Sequence, residues 1–206
     1  MANVIRKRGF RPVRHLNGSA YNDASVQFYC TESTATFIGD VVNFSGTSGA
    51  AGTVVSGIDV EGMKIVQHST NTTTGTNIAG VVTGFIPVTT LPGNYRAASV
   101  AQVVLVCVDP SVVYEVQEDG DTTPLTSSMV GNNIALVSAA GSTVTGASAY
   151  AIDSTATSTA ATYPFKILGL TKRPDNAFNT GGSLVDMAKF DVKLNVSDYT
   201  ENATGT

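Results

Sequence analysis

The run AQVVLVCV (Ala101–Val108), the corner Asp109-Pro110-Ser111 and the following VVYEVQE (Val112–Glu118) decide the class of fold. The first run is largely aliphatic and reads as a strand covered on both faces. In the second, Val113, Glu115 and Gln117 alternate with Tyr114 and Val116, the two-residue period of a strand. Together the two predict an antiparallel hairpin at the centre of the fold.

Upstream, Gln27–Thr31 and Thr36–Phe44 read as strands, with Gly39-Asp40 marking a turn or bulge between apolar pairs. A Gly- and Ser-rich loop over Ser45–Gly57 precedes a short strand at Met63–Gln67. The polar turn Thr70–Thr76 then leads into a strand at Ile78–Ile86, which Pro87 stops because it has no N–H for the ladder. Leu91-Pro92-Gly93-Asn94 has the residues of a type II turn.

Downstream, Thr122–Gly131 is the place for the one short helix, with Thr123 as cap, Pro124 at the first helical position and Gly131 as its end. Ile134–Ser138 is a strand. Ala139–Ala161 is small and Ser/Thr-rich, and reads as a loop excursion with a short strand at Ala149–Ile152. Tyr163–Leu170 and Ala188–Val196 close the series. In the last, Phe190, Val192, Leu194 and Val196 alternate with Asp191, Lys193 and Asn195, which predicts a half-buried edge or outer strand.

About nine or ten strands without alternating long helices make an all-β fold: an antiparallel β-barrel, sandwich or jelly roll with at most one short helix. No fixed period recurs along the chain, which excludes a solenoid or propeller. The division is an extended basic arm at residues 1–25, a single β domain at 26–197 with its excursion near 139–161, and a polar tail at 198–206.

Composition agrees with this class. Hydrophobic residues make up 42% of the 206 positions, enough for a core, while charged residues reach only 14%, against roughly 25% in an average domain. So few charges suit a surface that is largely covered in an assembly. The net charge of −4 is unevenly spread: Arg6, Lys7, Arg8, Arg11 and Arg14 precede the first acid, Asp23, and the remainder carries 7 bases against 16 acids, about −9. A basic arm on an acidic body fits either the phosphates of a nucleic acid or an acidic protein surface. Of these, nucleic acid is not the expected partner.

Cys30 and Cys107 fall in apolar strand stretches and read as buried free thiols. There is neither a CxxC pair nor a Cys/His cluster of zinc spacing. After the basic start, Arg11, Pro12, Arg14 and His15 stand where a signal peptide has its apolar core. The longest aliphatic run, Val103–Val108, is too short to span a bilayer. These readings describe a soluble chain made in the cytoplasm, with no membrane partner.

The motifs of catalysis are thin. His15 and His68 are the sole histidines, and with His15 in the arm any His-based nucleophilic site must rest on His68. Gly46-Thr47-Ser48-Gly49 lacks the second glycine of a nucleophile elbow. Glu115, Glu118, Asp119 and Asp121 form the densest acidic group, as a carboxylate pair or part of a calcium loop would, but the distal bidentate Glu is missing. A solvated turn is the simpler reading. Phosphate-cradling glycine motifs are absent, and the aromatics are scattered instead of interleaved with a basic patch. The expectation is a protein that is not an enzyme and has no catalytic residue, cofactor or metal.

Several strings carry a resemblance: Gly9-Phe10-Arg11-Pro12-Val13-Arg14-His15-Leu16-Asn17-Gly18-Ser19, Gly39-Asp40-Val41-Val42, Gly80-Val81-Val82-Thr83-Gly84-Phe85, Tyr95-Arg96-Ala97-Ala98-Ser99 onward through Asp119, and Ile167-Leu168-Gly169-Leu170 with Arg173-Pro174-Asp175-Asn176. Over most of its length the chain resembles the capsid cement or decoration proteins that stabilise tailed-bacteriophage heads. The resemblance implies a virion structural protein on the capsid exterior. It would sit as a homo-oligomer, dimer or trimer, on the major capsid protein lattice and bridge capsomers. Another phage particle component (head fibre, tail or baseplate) and a carbohydrate-binding β domain are the alternatives. The expected capsid or inter-subunit contact is the arm, through Arg6, Arg8, Phe10, Arg11 and Arg14, with the arginines pairing to carboxylates.

Overall fold

The computed structural model describes residues 3, 6–70, 77–88, 93–121, 123–178 and 187–199. The chain passes through β1 (Arg11–His15), β2 (Val26–Cys30), β3 (Thr36–Phe37), β4 (Val41–Ser48), β5 (Val54–Val55), β6 (Ile58–Asp59), β7 (Lys64–His68) and β8 (Gly80–Phe85). It continues through β9 (Tyr95–Arg96), β10 (Gln102–Cys107), β11 (Val112–Gln117), a 3₁₀ turn at Ser127–Met129, β12 (Asn133–Val137), β13 (Ala151–Ser158), β14 (Phe165–Leu170) and β15 (Lys189–Leu194). The fold is all-β.

Two layers organise these strands. β10-β2-β7-β4-β8 close into a five-stranded barrel, antiparallel except where β2 runs parallel to β7 at Tyr29–Ile65. The second layer is an antiparallel six-stranded sheet in the order β1-β11-β15-β14-β12-β13. The sheet curls until Ile152 of β13 bridges Glu118 at the end of β11.

Alternation along the strands divides the apolar side chains into three cores. Phe28, Cys30, Val42, Val66, Val82, Val104 and Val106, contributed by all five barrel strands, fill the barrel interior. The largest core joins the layers: Val41, Val81 and Cys107 from the barrel meet Tyr114, Phe165, Ile167, Phe190, Val192 and Leu194 from the sheet. Tyr29, Val55, Val60 and Val103 form a small cluster under the β5–β6 hairpin. β10 thus supplies all three cores, which is why its run is aliphatic on both faces.

Several expectations change. β10 and β11 are not a hairpin: β10 pairs β2 and β8, and β11 pairs β1 and β15. At the corner, Ser111 N–H donates to Asp109 Oδ1 and Val112 N–H to Asp109 O, so the chain leaves the barrel for the sheet. Each strand is central in its own layer, and a strand already paired on both sides cannot also pair with its sequence neighbour. β15 lies inside the sheet, between β11 and β14, and is no edge. Its alternation reports that one face is solvated; it carries no information about the flanks.

The short helix reduces to one 3₁₀ turn with no side-chain cap at Thr126. Leu125, 1% exposed, donates its N–H to Glu118 Oε2 across the fold, so the backbone there is committed before a helix can start. The Ser45–Gly57 loop is shorter than expected, because β4 reaches Ser48 and Ser56-Gly57 is a hairpin turn with φ of 53° and 79°. Positive φ at both central residues is the type I′ signature. The Ser/Thr/Ala excursion holds an eight-residue strand, β13. The polar turn at 71–76, Leu91-Pro92, Thr122 and the tail beyond Tyr199 lie outside the described residues.

Candidate functional site

Residues expected to form an extended arm are built into the sheet. β1 pairs β11 with Arg11 opposite Glu115 and His15 opposite Val112, and the register shifts between Pro12 and Arg14. Phe10, 1% exposed, stacks on Phe165 with ring centroids 4.3 Å apart, and its N–H donates to Gly39 O. Gly9 makes this approach feasible: its φ is +65°, and a Cβ there would stand 2.4 Å from Gly39 O. Upstream, Arg6 N–H donates to Gln117 Oε1 and Lys7 Nζ to Asp119 O. The segment therefore docks on its own domain.

The arginines then divide. Arg14 donates to Asp191 Oδ2 at 3.0 Å, and Asp191 Oδ1 also accepts from the Thr171 hydroxyl. Arg6, Arg8 and Arg11 are exposed and have no carboxylate partner among the described residues. They surround a polar niche of about 140 Å³ whose other charged walls are Glu115, Arg173 and Lys189. Arg173, on the far side, reaches Glu115 at 3.5 Å and Asp175 at 3.3 Å.

Arg8 and Arg11 also edge a second, larger groove of about 470 Å³, lined mainly by apolar groups that include Pro12, Tyr21, Ile38 and Val82. Its outer wall is the turn at 145–147, beside which Val144 is 87% exposed. Ile38 is 40% exposed. Of the residues read from the sequence as contacts, Arg6, Arg8 and Arg11 are gathered on this surface, Arg14 is held internally, and Phe10 is a core residue. Arg173 and Lys189, which complete the niche, escape sequence reading because they join it from the end of β14 and from β15.

His68 occupies another setting. Its Nδ1 meets Glu32 Oε2 at 2.5 Å and Thr34 Oγ1 at 3.0 Å, and its Nε2 meets Asp40 Oδ2 at 3.0 Å. Burial opposes the charged imidazolium, but the hydrogen bonds and charges of Asp40 and Glu32 outweigh it and push the pKa up to about 9. Burial likewise opposes the Glu32 carboxylate, and its bonds to His68 prevail to hold it low. A cavity of about 440 Å³ opens beside the cluster, between Phe37, Tyr150 and the 138–143 loop. With both ring nitrogens engaged by carboxylates, the imidazole has no free lone pair to act as a general base. Structurally, the cluster ties β7 to the Glu32 and Asp40 turns.

The acidic group of the sequence is dispersed. Glu115 pairs Arg173, while the buried Glu118 accepts from the N–H groups of Leu125 and Ala188, and burial raises its pKa. Asp119 and Asp121 come together with Asp153, their ligand oxygens within 4.8 Å of one another. Such an oxygen set suits a hard divalent cation, yet local donors already engage these carboxylates: Ser154, Thr123 and Thr155. Cys30 and Cys107 are free and buried in separate cores. Among the described residues no helix is long and apolar enough to cross a membrane. No family model, curated protein or solved structure matches the chain.

Proposed function

We propose that this chain is a non-catalytic structural protein of a virion, a cement protein that binds the major capsid protein lattice of a tailed-phage head from outside and stabilises it by bridging capsomers. The observation that carries this reading is the row of Arg6, Arg8 and Arg11, which has no carboxylate partner among the described residues and lies beside a mainly apolar groove. Guanidinium groups without an ion pair among the described residues, next to the exposed Ile38, form a surface with the anatomy of a protein interface: an apolar centre and an arginine rim. The sequence resemblance points the same way, and the engaged nitrogens of His68 argue against hydrolytic chemistry.

A lattice multiplies a modest contact. A homo-oligomer, dimer or trimer, engages neighbouring capsomers so that later contacts are intramolecular, and binding only the assembled shell stabilises that shell by mass action. The test is co-sedimentation of purified protein with expanded heads, followed by heating or chelator challenge. Bound protein should raise the temperature at which heads release DNA. Heads that neither retain the protein nor gain resistance would refute the reading, and saturable binding on a sugar array in their place would favour a carbohydrate-binding domain.

A further inference from the structure

The niche brings five cationic side chains, Arg6, Arg8, Arg11, Arg173 and Lys189, around a space of about 140 Å³ that holds one carboxylate, Glu115. Glu115 is already engaged by Arg173. Arg173 also engages Asp175, so three positive charges are left over on a protein whose net charge is −4. Like charges crowded in this way repel one another, and an anion seated among them relieves that repulsion. Beside the niche the chemistry reverses. The larger groove is mostly apolar, with Asp23 its one carboxylate, and Arg8 and Arg11 belong to the walls of both.

We infer that niche and groove are two halves of one docking site whose occupant is a short, extended, Asp/Glu-rich segment of a shell subunit. Its carboxylates are received in the niche, and a large apolar side chain lies in the groove against Pro12, Ile38 and Val82. The inference rests on the shell-binding reading and specifies the partner's chemistry. Guanidinium forks match carboxylates two bonds at a time. Ile38, exposed at the groove, needs an apolar cover that a phosphate backbone does not supply.

A long polyanion also meets opposition nearby. Lys7 is bonded to the carbonyl of Asp119, which places the Asp119–Asp121–Asp153 group next to the basic segment. A short acidic segment ends before reaching those carboxylates. Recognition is by side chains, not by an added strand. Pro12 has no N–H to offer at the free edge of β1, and a bridge from Arg14 to Ala20 occupies the next position.

The experiment uses the full chain and two labelled probes of equal charge in fluorescence anisotropy: an oligo-aspartate peptide ending in phenylalanine, and an oligothymidylate. The peptide should bind more tightly than the oligonucleotide. Arg8→Glu with Arg11→Glu should weaken peptide binding by about a hundredfold or more, since two charge-assisted contacts are lost and replaced by repulsion. Ile38→Asp should abolish the advantage that the terminal phenylalanine confers. Equal melting temperatures establish that the variants fold. Tighter binding of oligothymidylate, no peptide binding, or indifference to the charge reversal each overturns the inference. Co-sedimentation with heads separates the two levels: retention of the reversed variant sinks the docking site and leaves shell binding standing, whereas loss of wild-type retention sinks the shell reading itself.

Discussion

Arg96 and the Arg6–Arg11 row show two opposite uses of one side chain. Arg96 is 0% exposed on β9, and its guanidinium donates to Thr36 Oγ1 and to the carbonyls of Thr34, Ala97 and Val100. No carboxylate among the described residues is involved; the charge gathers the Thr34–Thr36 and Ala97–Val100 turns. Arg8 and Arg11 flank the packed Gly9–Phe10 step, and their guanidinium groups have no ion pair among the described residues. A charge whose donors are all satisfied within the chain belongs to the architecture, and one left open on the surface is free to meet a partner, as proposed for Arg8 and Arg11.

The contrast is sharpest in stability. Arg96→Ala orphans a buried hydroxyl, removes the donor from three part-buried carbonyls and empties the space of a wholly buried side chain; an unpaired buried group costs about 1–3 kcal/mol, so urea unfolding should show a loss of about 3–5 kcal/mol. A loss below about 1 kcal/mol would mean that water replaces the guanidinium and that Arg96 is not architectural.

The His68 clamp comes next. Its folded-state pKa, about 9, stands above the ordinary 6.5. The clamp's contribution is therefore complete below about pH 6.5 and is lost as pH rises through about 9. A shift of this size corresponds to something on the order of 3 kcal/mol. Melting temperature should fall between pH 7 and 10, and the fall should flatten in His68→Gln. An identical fall in that variant would assign the alkaline loss to other groups.

Arg14 is the intermediate case, an arginine of the basic segment with an internal partner. Its pair with Asp191 is partly exposed, 40% and 19% by side chain, so Arg14→Ala should cost about 0.2–1 kcal/mol in denaturant unfolding. Arg8→Ala and Arg11→Ala should change stability least, within about 0.5 kcal/mol, while head binding falls. Destabilisation equal to that of Arg14→Ala would reveal internal partners and blur the distinction.

What could be read in advance follows the same division between local and remote. Strand-forming runs such as Ala101–Val108 and Ala188–Val196 are legible because side-chain period and burial are local properties. Their neighbours are not. A run covered on both faces announces a central strand without naming its partners, and so β10 and β11 were joined as a hairpin when each belongs to a different layer. The basic row was equally plain, being contiguous, and its order was missed because Phe10 and Phe165, far apart in sequence, meet only after folding. His68 could be singled out as a rare residue. Its partners, Glu32 and Asp40, lie 36 and 28 positions away with no motif connecting them.

The pairing of Arg11 with Glu115 has a temporal consequence. Every barrel strand, from Val26 to Cys107, lies between these partners in the chain. On a ribosome, where synthesis proceeds from the N-terminus, the barrel can close while the first strand still waits for its neighbour to be made. The arginine-bearing edge is completed only after that long loop is spanned. A nascent chain thus stays without this edge until most of the protein has emerged.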